Sequence, residues 1–86
     1  MPEICRFLGI VIKMFYGDHP PKHFHAEYND YKALISLENL EIIEGQLPPN
    51  AYKLIKRWAK LHRQELLENW ARAVVREELN KIEPLE

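Results

Sequence analysis

Asn29-Asp30 separates two runs of alternating side chains, His23 to Tyr28 and Tyr31 to Leu37. Two residues that tolerate positive φ, set between alternating runs, predict a tight antiparallel hairpin. Counting outward from the turn pairs Tyr28 with Tyr31, Glu27 with Lys32, Ala26 with Ala33, His25 with Leu34, Phe24 with Ile35 and His23 with Ser36. In that register Phe24, Ala26, Tyr28, Tyr31, Ala33 and Ile35 share one face. His23, His25, Glu27, Lys32 and Ser36 share the other, as a period of two requires. A slip of one residue would mix the faces, so the register is strongly specified.

The rest of the chain is read around this hairpin. Phe7 to Tyr16 is rich in β-branched and aromatic residues and reads as one strand, broken in polarity only at Lys13. Gly17-Asp18 ends it, and His19-Pro20-Pro21-Lys22 must then be extended, because each proline fixes its own φ and restricts the residue before it. Glu38-Asn39 offers a second turn that pairs Leu37 with Leu40, Ser36 with Glu41, Ile35 with Ile42 and Leu34 with Ile43. Pro49 is well placed in a helical first turn, where a missing N–H is harmless.

From Asn50 to about Leu79 there is no proline or glycine, and apolar residues from Ala51 and Ile55 through Trp58 and Trp70 to Val75 form a helical stripe. His62-Arg63-Gln64-Glu65 interrupts the stripe but contains no helix breaker. This favours one helix of roughly 45 Å, with a bend near His62 as the other option. The expectation is a single α+β domain over residues 1–86, an antiparallel three- to four-stranded β-meander packed against a long C-terminal α-helix. Ile82 and Leu85 give the tail apolar side chains with which to dock.

Composition narrows the classes of function. A formal net charge of −1 is not the global field of a nucleic-acid-binding domain, so any such contact needs a local basic patch. The single cysteine, Cys5, excludes an internal disulfide and a multi-cysteine metal site and fits a reducing compartment. The N-terminal stretch has neither the pattern of a signal peptide nor the length of a membrane span, so a cytoplasmic protein is expected.

Residues spread along the chain resemble a bacterial family of small proteins known as domain of unknown function 4160. They include Pro2-Glu3-Ile4, Arg6, Phe7, Gly9-Ile10, Asp18-His19, Pro20-Pro21, His23-Phe24-His25-Ala26 and Tyr28. Glu44-Gly45, Leu47-Pro48, Trp58, His62, Glu65-Leu66-Leu67, Trp70, Ile82 and Pro84-Leu85 extend the resemblance over essentially the whole chain. Two departures stand out: Cys5 where the family often has serine, and Lys22 between the two prolines and the next histidine. The resemblance implies a component of a small toxin–antitoxin-like module. Such a component would act through a protein partner, and through RNA in some versions of that reading.

The residues themselves suggest further chemistry. His23 and His25 lie two apart on one strand face, roughly 7 Å between Cα atoms. With His19 or Glu27 they can supply three ligands to Zn²⁺ or another divalent metal. A metal-independent ribonuclease is a second use of the same three histidines: one as general base, another as acid, with Arg6, Lys22 or Lys32 on the phosphate. The bland alternative is that they order the proline loop by hydrogen bonding. Residues expected to bind a ligand or partner are Arg6, Lys22, Glu27, Tyr28, Lys32, Lys53 and Arg57. Lys53, Lys56, Arg57, Lys60 and Arg63 make one side of the helix basic, while Trp58 and Trp70 read as core. Self-association or a small protein partner along the C-terminal helix is expected, without a membrane. A scaffold with no chemistry is the third option.

Overall fold

In a computed structural model describing residues 3–85, the central hairpin forms in the expected register, from Tyr28↔Tyr31 out to His23↔Ser36. Met1, Pro2 and Glu86 lie outside the described residues, Pro2 among them although it opens the motif shared with the family. The strands are β1 (Glu3–Phe7), β2 (Ile10–Lys13), β3 (His23–Tyr28), β4 (Tyr31–Ser36) and β5 (Ile42–Gly45). They form one antiparallel sheet in the order of the chain. Two helices follow, α1 (Pro49–Leu61) and α2 (Arg63–Val74). The α+β class stands, with five strands instead of three or four and two helices instead of one.

The extra strand comes from a turn hidden in an apolar run. Phe7 to Tyr16 is not one strand: Leu8 and Gly9 take φ values of 50° and 82° and fold β1 back onto β2 as a two-residue hairpin. Two positive φ values in sequence match the right-handed twist of the flanking strands. Leu8 occupies a position that favours Asn or Gly, so its side chain points outward at 61% exposure and gives no polar signal of a turn. A second correction concerns β5. Ile35 pairs with Ile42 as expected, but Leu34 faces Glu44 rather than Ile43. The register shift makes Ile43 the extra residue of a bulge and leaves it exposed.

The helix is divided because both of its tryptophans are needed at the sheet. Twelve residues of unbroken helix would set Trp58 and Trp70 about 18 Å apart along the axis and about 120° apart around it. Instead His62 leaves helical geometry at φ −119°, ψ 26°, and α2 restarts with the Leu66 N–H donating to the His62 carbonyl. A helix of roughly 45 Å also exceeds the longest dimension of the fold, 33 Å. α2 stops at Val74, before the expected Leu79, in a Schellman cap: Glu77 N–H donates to the Arg72 carbonyl and Arg76 N–H to Ala73. Arg76 holds the left-handed position at φ 62°, where glycine is the usual signal.

Trp58 is fully buried, 5.6 Å from Phe7 and 6.1 Å from Phe24 between ring centroids, and joins helix to sheet. Truncating such a residue costs about 3–5 kcal/mol, whereas a solvent-exposed ion pair such as Arg6–Glu3 contributes little. Aromatic packing, not surface charge, holds the layers together. The tail then crosses the β1 edge. Asn69, wholly buried, exchanges two hydrogen bonds of 2.9 Å with the Asn80 backbone, Trp58 Nε1 donates to the Glu83 carbonyl, and Ile82 N–H donates to Ile4. Cys5 lies inside this core, and burial pushes its thiol above the ordinary cysteine value.

Gly9 and Gly45 both hold positive φ, but a Cβ at Gly45 would come within 2.2 Å of the Lys32 carbonyl oxygen, whereas at Gly9 the nearest neighbour is the Tyr28 ring at 3.4 Å. Gly9→Ala is therefore expected to cost about 1–2 kcal/mol, the left-handed penalty alone. Gly45→Ala should cost at least a further 1 kcal/mol, roughly, from backbone displacement. Urea denaturation midpoints at unchanged m-value measure both, and equal losses would contradict the contact.

Candidate metal centre

The site begins with the loop that leaves β2. Gly17 N–H donates to the Ala73 carbonyl of α2 at 3.3 Å, and Leu37 N–H donates to the Lys22 carbonyl at 2.9 Å, so both ends of the loop are tied down. Between these ties Asp18 faces the start of β3. Its Oδ2 lies 3.0 Å from His23 Nε2 and 2.9 Å from His25 Nε2. One carboxylate oxygen thus meets two imidazoles from alternate positions of one strand. The ligand atoms of the three residues lie within 4.8 Å of one another.

The surroundings of the two histidines differ. His23 is 5% exposed and packs against Trp70, 5.2 Å between ring centroids. Alternation alone places His23 on the open face of the sheet, but α2 reaches round to cover that corner. His25 is half-buried, with the Phe15 ring meeting it edge-on at 4.4 Å. The cluster therefore has one buried wall and one side open to solvent.

Proton arithmetic makes this geometry informative. His23 Nδ1 lies 2.7 Å from the Pro21 carbonyl, which can only accept, so Nδ1 carries a proton. The Nε2–Oδ2 contact then needs a second positive centre between its atoms, either another proton or a cation. His25 Nε2 meets the same oxygen, and its neutral Nε2–H tautomer donates there directly. For Asp18, burial pushes the carboxyl upward, but the hydrogen bond from His25 and the charges of His23 and His25 outweigh it and hold the group below its ordinary 3.8.

A metal ligand set answers the same demand. Ligating histidines donate their second ring N–H to a carbonyl or carboxylate, which fixes the tautomer; His23 already does so to Pro21. A tetrahedral centre with bonds of about 2.0–2.1 Å separates its ligands by about 3.4 Å. Against that spacing the two Asp18–imidazole contacts are about 0.4 Å short, so Asp18 draws back by that much, and the widest pair of donor atoms, up to 4.8 Å apart, closes by up to about 1.4 Å.

The other expected site residues are distributed as follows. His19 is exposed on the loop and contributes no atom to the cluster, and Lys22 is exposed beside it. Glu27 bonds Lys13 at 3.1 Å, Arg6 bonds Glu3, and Tyr28 packs at the margin of the core. Lys32, with His25, Glu27, Leu34 and Glu44, lines a shallow cleft of about 360 Å³ on the open sheet face. Lys53 and Arg57 are exposed on α1, away from these partners. His62 bonds Glu65 at 2.6 Å and packs on Trp58, a half-buried structural histidine. The member that sequence reasoning missed is Asp18, which reads in the sequence as the end of a strand.

A sequence profile described as domain of unknown function (DUF4160) matches residues 9–71, a span that contains all three cluster residues. The match covers well over half of the chain, and the protein belongs to that family. Neither the curated proteins nor the solved structures give a match to the chain. No helix of the described residues is long and apolar enough to cross a membrane.

Because the Asp18 carboxyl is held below 3.8 in the folded state, the native protein prefers its ionised form more than the unfolded chain does. That contribution is fully present above pH 3.8 and is lost as pH falls through the depressed value. Acid titration of stability should show this loss in the wild type and a flatter profile in Asp18→Asn. Superimposable profiles would contradict the Asp18–histidine contacts.

Proposed function

We propose that this member of the domain of unknown function 4160 family holds a divalent transition-metal ion with Asp18, His23 and His25 and uses it for hydrolytic chemistry. The observation that carries the reading is the convergence of three donor atoms within 4.8 Å, one histidine already bonded through its other nitrogen to the Pro21 carbonyl. Two imidazoles and one carboxylate are a donor set for zinc or non-haem iron. A surface metal site with three protein ligands leaves a coordination position for water or substrate, unlike a four-ligand structural site. Bound there, a metal supplies Lewis acidity and a water that ionises near neutral pH. The chain's own contribution is orientation: the Pro21 carbonyl and Trp70 hold the His23 ring, and Phe15 holds that of His25. His19, on this reading, lies outside the ligand set.

A partner-dependent role, as in a toxin–antitoxin-like module, is a second reading favoured by a different observation. The tail covers the β1 edge of the sheet, whereas β5, at the other edge, pairs only with β4 among the described residues and exposes Ile43. An uncovered edge is a template for an incoming strand. Copurification with the product of an adjoining gene, lost in an Ile43→Lys variant, supports this reading; a protein that purifies alone and whose expression leaves growth unaffected rejects it.

For the metal reading, calorimetric titration of chelator-stripped protein with Zn²⁺, Co²⁺ and Mn²⁺ is expected to give one site. Asp18→Asn and His25→Ala should each weaken it by about tenfold or more. At an ion concentration near 100 Kd the folded state gains about 2.7 kcal/mol, a rise in Tm of roughly 10–20 °C for a chain of this size. Absence of a heat signal, or variants that bind like the wild type, would reject the metal centre. Ester or phosphodiester turnover that survives chelation would reject its hydrolytic use.

A further inference from the structure

Residues 45–64 contain Lys53, Lys56, Arg57, Lys60 and Arg63 and no aspartate or glutamate, in a chain whose formal net charge is −1. Folding sorts these cations. The Arg63 guanidinium donates to the Glu38 carbonyl, and the Lys56 ammonium lies 5.6 Å from the centre of the Tyr52 ring. Lys53, Arg57 and Lys60 are exposed, and none has a carboxylate within 4 Å among the described residues. They stand at i, i+4 and i+7, one stripe of α1. At 1.5 Å per residue the stripe spans about 10.5 Å.

We propose that this stripe of α1 binds the phosphate backbone of a nucleic-acid strand without reading its sequence. The span equals about three rises of 3.4 Å along one strand of a helical nucleic acid, so the three cations lie along a run of about four successive phosphates. The aromatic residues of the helices take no part in stacking bases. Trp58 is fully buried, Trp70 is 6% exposed, and Tyr52 donates its hydroxyl to the Leu40 carbonyl while its ring lies under Lys56. Without an aromatic platform or a base-reading group, the surface offers charge alone, which is the chemistry of backbone contact. An acidic protein is the competing occupant. Protein interfaces, however, are built on aromatic or apolar anchors and are depleted in lysine. The Lys53–Arg57–Lys60 stripe holds no exposed aromatic, and exposed Leu61 stands only at its end. The proposal is independent of the metal centre, whose ligands belong to β3 and the preceding loop.

The test is fluorescence anisotropy with a 20-nucleotide RNA of mixed sequence, the same sequence as single-stranded DNA, and a duplex. Chelator is present throughout, so that the metal centre does not enter. Three phosphate contacts predict a slope of log K against log[salt] near −2 for a single strand, so affinity should fall about 20-fold between 50 and 200 mM salt. Lys53→Glu/Arg57→Glu/Lys60→Glu replaces exposed residues with a good helix former and should abolish both binding and slope while the circular dichroism spectrum is unchanged. Scrambled RNA should bind as well as the original. Wild-type binding by the triple variant, or a slope near zero, would overturn the proposal. So would poly-glutamate that competes as well as RNA at equal charge, which would assign the stripe to an acidic protein. If the triple variant loses its helical signal, Lys53→Gln/Lys60→Gln takes its place, with a slope reduced to about one-third expected and an unchanged slope overturning the proposal.

Discussion

The break at His62 is the constraint on which both the fold and the candidate site depend. It lets one helical segment place two tryptophans against the sheet at different ends of the core. Trp58 in α1 packs on Phe7 and Phe24, and Trp70 in α2 covers His23. No helix breaker forces the turn; burial does. The two indoles, with Asn69 pinning the tail through Asn80, stabilise the divided helix by far more than the loss of a few helical hydrogen bonds costs. The same packing covers a corner of the sheet that strand alternation alone would leave wet.

That cover gives the histidine cluster its character. A histidine pair on a fully open strand face would be free to rotate. Here the His23 ring is fixed on three sides, by the Pro21 carbonyl, Asp18 and Trp70. The ring of His25 is steadied by Phe15 and shares the same carboxylate oxygen. Two imidazoles converge on one carboxylate oxygen, and His23 already commits its Nδ1–H to Pro21, so its contact with Oδ2 takes either a second proton or a metal cation. The cation fits with the hydrogen bond to Pro21 already in place. Preorganisation of this kind lowers the ordering cost of binding an ion.

Much of this was legible in the residues. Asn29-Asp30 and the alternation around it specify the central hairpin to the residue, because a slip would expose Phe24 and Ile35 and bury His25 and Glu27. The helical stripe with Trp58 and Trp70 marked the core-facing side. What the sequence concealed are positions where an unsuitable residue holds a special backbone. Leu8 makes a turn without polar chemistry, and Arg76 caps a helix in the place of glycine. At the site the pair His23 and His25 was readable from spacing, whereas Asp18 was not. Its distance from them depends on how the proline loop folds back, and His19 beside it drew attention by residue type alone.

X-ray absorption spectroscopy of zinc-loaded protein tests the central claim most directly, because it reads the donor atoms around the ion. The account predicts a shell of nitrogen and oxygen at about 2.0–2.1 Å with the outer-shell scattering of two imidazoles, and one imidazole fewer in His25→Ala. A sulfur at about 2.3 Å, or no imidazole scattering at all, would place the ion elsewhere and leave Asp18, His23 and His25 as a hydrogen-bonded clamp on the proline loop.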